Sequence, residues 1–271
     1  MLTGEVIGCA GLSEPGVGSD FGGLEMTAER VPGGWKLNGA KAWITNAAVA
    51  GLSVVYAQTD KAQGYRGIAC FAIEAERPGF QRDKPFELHG GHAIGVGGFR
   101  LVDYIAPDEA LLHPPGAAFK AALAGINGAR TYVAGMCCGM LQASLETAVR
   151  YTQQRKTFGQ PVIDHQGVRW KLVDAATDLE AARLLTYRAA WLRDRGEAAT
   201  LEVAMAKLTA TESAQRVIDR AVQMFGGRGV ARGEVVEHLY RDIRALRIYE
   251  GATEVQKLII GRELLHRNKN A

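Results

Sequence analysis

Long apolar runs are what this sequence most plainly lacks. No uninterrupted hydrophobic stretch reaches membrane-spanning length, and the opening MLTGEVIGCAG has no basic start followed by an apolar core. The expectation is a cytoplasmic protein with no membrane span. An excess of one charge is also missing. A formal net charge of +3 gives no electrostatic footprint for nucleic acid or an anionic lipid surface, so no nucleic-acid partner is expected. Cysteine is sparse, with four residues and no C-x-x-C spacing. Cys137 and Cys138 are adjacent in a helical pattern, and Cys9 and Cys70 stand in apolar, strand-like contexts. This argues against a disulfide framework or a zinc site and for reduced, buried thiols. His89 and His92 in HGGH would need further ligands to hold a metal, and none is expected. There is no internal repeat, low-complexity tract or long linker.

What is present is ordinary for a globular chain. Hydrophobic residues make up 47% and charged residues 23% of 271 positions, enough to build one large domain or two modest ones. The hydrophobic period then divides the chain. Up to HPPG (113–116) the pattern is β. LEMTAERVPGGWKLNGAKAWIT alternates around PGG and NG, both turn signals, and LSVVYAQTD, GIACFAIEA and FRLVDYIAP read as further short strands. GGHAIGVGGF is rich in glycine but lacks the strand-then-helix frame of a dinucleotide loop. Beyond HPPG the period is helical, with apolar residues at Val168, Leu172, Ala175, Leu179 and Ala182 in steps of three and four. Strands first and helices afterwards mean a segregated α+β chain, with a β-domain over 1–115 and a helical domain over 116–271.

Two short segments carry possible chemistry. In IYEGATEVQ (248–256), Thr253 and Gln256 have the spacing of a capping box that starts a helix. Glu250 then lies just upstream on a loop, next to Gly251, which gives the backbone unusual freedom. A loop carboxylate there could project into a cleft, or it could simply favour the helix dipole. In GLSEPGVGSD (11–20) a strand end runs into a Pro-Gly turn with closely spaced Gly, Ser and Asp. Such a turn could expose backbone N–H groups to a planar or phosphorylated ligand, or it could be an ordinary tight turn.

LSEPGVGSD, KAWITN (41–46), RKTFGQPVIDHQ (155–166), VQMFGGRGV (222–230) and IYEGATEVQ occur in an order and spacing that resemble the acyl-CoA dehydrogenase family of flavoproteins. The resemblance covers nearly the whole chain. It implies a β-barrel-like middle domain followed by a C-terminal four-helix bundle, with FAD in the crevice between them. It also implies α,β-dehydrogenation of an acyl-CoA thioester. Glu250 matches the general base that removes the α-proton while the β-hydrogen leaves as hydride to flavin N5. The base's pKa must be raised by desolvation, and the enolate-like charge stabilised at the thioester carbonyl. In the family those contacts come from a flavin ribityl hydroxyl and the backbone N–H of the base.

Leu12 and Ser13 match positions at the flavin edge. Trp43, Ile44 and Thr45 match the segment that packs on the isoalloxazine and hydrogen-bonds near N5. Arg155, Phe158 and Gln166 match positions that reach the dinucleotide of a neighbouring subunit, and Gln223, Gly226 and Gly227 match another contact across that interface. Ala252, Thr253 and Glu254 match a short cofactor-contacting run. Ser19, Arg130, Tyr249 and Gly251 fall on the substrate side. The implied partners are an electron-transfer flavoprotein and further copies of the chain, in a homodimer or homotetramer. Some relatives carry the base on the first helix of the C-terminal domain, but GINGARTYV (125–133) has no acid there. The resemblance begins at the family's middle β-domain, so the usual N-terminal helical domain is expected to be truncated here, naturally absent or supplied by another chain; Asn127 stands where many relatives have an acid, and Ala252 where several have threonine. A non-catalytic assembly subunit and an oxidase-type flavoenzyme are the alternatives on the same scaffold.

Overall fold

The change of hydrophobic period along the chain is also its change of architecture. The computed structural model describes residues 1–269, which form two units, Met1–Ala124 and the residues from Gly125 onward.

The first unit holds β1 (Gly8–Gly11), β2 (Thr27–Val31), β3 (Gly34–Ile44), β4 (Leu52–Gln58), β5 (Ile68–Glu74), β6 (Phe80–Arg82), β7 (Gly97–Pro107) and β8 (Leu111–His113). They form one mixed sheet in the order β6-β7-β3-β2-β4-β5-β8, with β1 added in parallel on β4. The sheet curls on itself. The Tyr104 hydroxyl of β7 accepts from the Glu74 N–H of β5 at 3.0 Å and donates to the Glu74 carbonyl at 3.2 Å, although β3, β2 and β4 separate those strands in the sheet. Leu37, Val55, Phe71, Phe99 and Leu101 fill the interior of this barrel-like curl. The PGG signal is the β2–β3 hairpin, where Val31 pairs with Gly34 and Gly33 takes φ 77°. The NG signal is not a turn. Asn38 and Gly39 lie within β3 at a shift in its register with β7. Gly39 has φ 146°, and a Cβ on it would come within 2.7 Å of the Met26 backbone. Close strand approach, not chain reversal, is what requires this glycine.

A helix, α1 (Ala118–Gln154), begins in the first unit, where Ala118 and Ala122 pack with Tyr56 and Ile68. The second unit continues with β9 (Lys156–Thr157), β10 (Gln160–Pro161), α2 (Gln166–Asp194), α3 (Thr200–Phe225), the short α4 (Val235–Leu246) and α5 (Thr253–Lys269). Four long helices, α1, α2, α3 and α5, thus make the helical domain, with α4 leading into α5. On α2 the stripe Leu172, Ala175, Leu179 and Ala182 is buried as its spacing requires. α3 is the most enclosed helix. Its fully buried Ala206, Ala210 and Ala214 present little side-chain bulk, so neighbouring helices can pack closely against it.

Candidate active site

Six residues, 247–252, connect α4 to α5. Within them Glu250 adopts φ 54°, a left-handed backbone rare for a residue with a side chain, and Gly251 follows at φ 88°. Such a conformation costs on the order of 1–3 kcal/mol and persists only where surrounding contacts over-determine it. Those contacts are present. The Glu250 carbonyl accepts from Arg130 Nε at 2.9 Å and Gln256 Nε2 at 3.2 Å. The Gly251 carbonyl accepts from Lys207 Nζ at 2.9 Å and Gln256 Nε2 at 2.9 Å. Three side chains from α1, α3 and α5 therefore hold two consecutive peptide groups.

The capping-box reading of Thr253 and Gln256 needs correction. The Gln256 N–H bonds the Ala252 carbonyl as an ordinary helical bond, and its side chain reaches back to residues 250 and 251 instead. The Thr253 hydroxyl donates to the Glu212 carboxylate, which also pairs with Arg247 at 2.9 Å. The Gln256 N–H is thus already satisfied, and the Thr253 hydroxyl is engaged by a charged acceptor across the bundle.

Glu250 differs from its loop in being held only by its backbone. Among the described residues its carboxylate accepts no hydrogen bond and its own N–H meets no acceptor. Half-buried, the carboxyl has a raised pKa because burial disfavours its charged form, while Arg130 and Lys207 oppose that rise. Lys207 is completely buried, and desolvation brings its ammonium down to about 8. Arg130, also buried, donates Nη1 to Asn127 Oδ1 at 3.1 Å, and its pKa is lowered by desolvation. Tyr249 packs partly buried on the helical core, and burial raises its phenol. Lys207 was not identified from sequence. Its signal was a lysine on a helical stripe otherwise filled by Val203, Ala206, Ala210 and Ala214.

At another end of the same unit the structure gathers two of the predicted groups. Tyr151 near the end of α1 stacks on Phe225 at the end of α3, with ring centroids 3.9 Å apart, and its hydroxyl donates to the Phe225 carbonyl. The Arg155 N–H donates to the Tyr151 carbonyl at 2.8 Å, and Phe225 is followed directly by Gly226 and Gly227. His165 bonds Thr157 and Gln160 at 3.1 Å each, fastening the β9–β10 hairpin to the start of α2. At the hairpin tip Phe158 has φ 50° and is 98% exposed. Arg155, Gln166, Gln223, Gly226 and Gly227 are exposed as well. Of the remaining predicted run, Ala252 is partly buried and Glu254 exposed at the first turn of α5.

In the first unit, the Ala42 N–H donates to the Ser13 carbonyl at 3.0 Å, which holds Leu12 and Ser13 against the end of β3. Trp43 there has φ 62°, is 58% exposed and stacks on Phe86 at 4.2 Å. Thr45 is exposed, Ile44 is taken up by the core, and Ser19 is exposed on the preceding turn. Beneath this patch is a pair that sequence reasoning did not identify. Lys41 and Glu14 are buried together at 2.8 Å. Glu14 also accepts from the Glu25 and Met26 N–H groups, and Lys41 donates to the Leu12 carbonyl at 3.2 Å. GLSEPGVGSD is therefore anchored from inside by its own glutamate. Burial brings the Lys41 ammonium down to about 8 despite the attraction of Glu14.

Comparison with known proteins follows this division. Residues 9–103 match the middle domain of acyl-CoA dehydrogenases and residues 116–265 match their C-terminal domain. The chain is 42% identical over 262 residues to the mitochondrial short-chain specific acyl-CoA dehydrogenase of Mus musculus, covering 97% of this chain and 64% of the mouse protein. Its fold superposes on butyryl-CoA dehydrogenase from Megasphaera elsdenii with a TM-score of 0.94 at 37% identity, covering 96% of this chain and 68% of that one. It superposes equally on the FAD complex of PigA, with a TM-score of 0.94 at 30% identity over 98% of this chain and 70% of that one. The chain thus spans about two thirds of the length of these relatives.

Proposed function

The chain belongs to the acyl-CoA dehydrogenase family, and from that premise we propose that it carries the cofactor-binding and proton-abstracting parts of an FAD-dependent α,β-dehydrogenation of an acyl-CoA thioester. The observation that carries this reading is Glu250, a half-buried carboxylate with a raised pKa and no hydrogen-bond partner among the described residues, on a loop whose carbonyls at 250 and 251 are held by three side chains. A base must be rigidly placed yet keep its lone pairs for substrate, and this loop meets both demands.

The residues present fit FAD. Trp43 offers an exposed flat ring already backed by Phe86, and Thr45 adds a hydroxyl. Leu12 and Ser13 line the same patch. Arg155, Phe158, Gln166, Gln223, Gly226 and Gly227 are exposed, available to the pyrophosphate of a cofactor held by a second copy of the chain. The Ala252–Glu254 run completes the set. When bound, FAD supplies the hydride acceptor. The chain's own residues do the rest. Glu250 takes the α-proton, and its unpaired N–H is placed to donate to the thioester carbonyl and stabilise enolate-like charge. Arg130 fixes the Glu250 carbonyl. Ser19, Tyr249 and Gly251 fall on the substrate side. The 1–115 portion serves the cofactor and the 116–271 portion the base. Electrons leave to an electron-transfer flavoprotein, and the working unit is a homodimer or homotetramer.

The test uses the full chain reconstituted with FAD and mixed anaerobically with butyryl-CoA. Wild type should bleach, and Glu250→Gln should bind FAD but bleach slower by a factor of about 10³. A chain that refuses FAD, or a Glu250→Gln variant that bleaches like wild type, overturns the proposal. Rapid reoxidation of the reduced protein by air would reassign it to an oxidase.

A further inference from the structure

Lys207 is a cation buried in the first third of α3, on the stripe filled by Val203, Ala206, Ala210 and Ala214. Taking an ammonium out of water costs several kcal/mol, and a well-packed apolar residue at such a position is often as stable or more stable. The usual compensation, an ion pair, is absent, because no carboxylate among the described residues lies in salt-bridge range of Nζ. The single acceptor it meets is the Gly251 carbonyl, at 2.9 Å. Bundle stability alone does not explain a lysine here.

Its geometry does. Arg130 holds the carbonyl of residue 250, Lys207 holds that of residue 251, and Gln256 bridges the two. Fixing successive carbonyls fixes the peptide planes on either side of Gly251, and hence the Gly251 torsions and the path of the chain as it leaves Glu250. We propose that Lys207 is a positioning residue of this site: by holding the Gly251 carbonyl it locks the torsions of Gly251, so that the chain leaving Glu250 is fixed and the Glu250 carboxylate keeps its place. The proposal rests on the reading of Glu250 as the base. Lys207 also adds positive charge beside Glu250. The groups facing Lys207 are Cys137 and Arg130 from α1, Glu250 from the loop, and Glu212 from its own helix. Those facing Glu250 are Arg130 and Lys207.

The test compares the FAD-reconstituted full chain with Lys207→Met, Lys207→Arg and Glu250→Gln, using butyryl-CoA as substrate. Lys207→Met keeps the length of the stem and removes the donor. Its expected kcat falls by about 10- to 100-fold, the scale of an ångström misplacement, with KM within about threefold. FAD binding and thermal stability should hold. The acid limb of its kcat profile should move to higher pH, since a cation that opposed protonation of Glu250 is gone. Lys207→Arg, which retains a donor, should recover part of the rate. If Glu250→Gln bleaches like wild type, the base assignment fails first, whatever Lys207 does. If Glu250→Gln is inactive while Lys207→Met keeps wild-type kcat and pH profile, Lys207 has no positioning role. Should Lys207→Met not fold, Lys207→Leu replaces it as the donor-free variant: a folded protein with lowered kcat and unaltered KM supports the role, and wild-type kinetics overturns it. If neither variant folds, the lysine is a structural residue of the bundle and the positioning role falls.

Discussion

Replacing Gly251 by alanine should break the loop that carries Glu250, and the cost can be worked from its surroundings. At φ 88° an L-residue pays about 1–2 kcal/mol for the left-handed backbone. The new Cβ would also lie 2.6 Å from Gln256 Nε2 and 3.0 Å from Arg130 Nη2. Both are ends of flexible side chains and can move, but these side chains hold the carbonyls of residues 250 and 251. Moving them gives up one or two hydrogen bonds, each worth about 1 kcal/mol. Together the loss should be about 2–4 kcal/mol, read as a lowered urea midpoint with an unchanged slope. Gly139→Ala is the matched control. Gly139 sits mid-helix in α1, and a Cβ there meets nothing within 4 Å, so alanine should stabilise by about 0.5–1 kcal/mol. The same methyl group thus has opposite signs at two sites. If Gly251→Ala cost less than about 0.5 kcal/mol, the loop would not be clamped as described.

Two further outcomes follow from buried charge. Glu250 has a raised pKa in the folded state, so the folded protein binds its proton more tightly than the unfolded chain does. Its stability penalty is present above the folded pKa and absent below the unfolded one. Glu250→Gln should therefore be more stable than wild type at pH 7, and that gain should vanish as pH falls toward 4 in parallel urea titrations; a gain that persisted in acid would contradict the assignment. Lys41→Met leaves Glu14 buried without its cation and should cost about 3–5 kcal/mol. Adding Glu14→Gln should recover part of that loss, and a single-variant cost below about 1 kcal/mol would show that the pair does not anchor residues 12–14.

Much of the fold was legible because it depends on periods and local turn chemistry. Alternation marked the strands up to HPPG, and steps of three and four marked α2. The PGG hairpin followed from a glycine that accepts positive φ. NG did not follow in the same way, because Gly39 is required by the neighbouring Met26 backbone, which only the folded sheet brings near. Thr253 was misread for a similar reason: the partner of its hydroxyl, Glu212, is 41 residues away in sequence.

The candidate site divides along the same line. Sequence alone determined that a carboxylate sits beside a glycine on a loop leading into a helix, and that aromatic and basic residues recur at family spacing. Those are properties of short segments, written in neighbouring residue types. Tertiary structure decided that Arg130, 120 residues from Glu250, and Lys207, 44 residues from Gly251, would converge on two adjacent carbonyls. It also decided that the carboxylate itself would be left without a partner. Side-chain reach is only a few ångströms, so such contacts depend on how α1, α3 and α5 pack, and no local pattern encodes them.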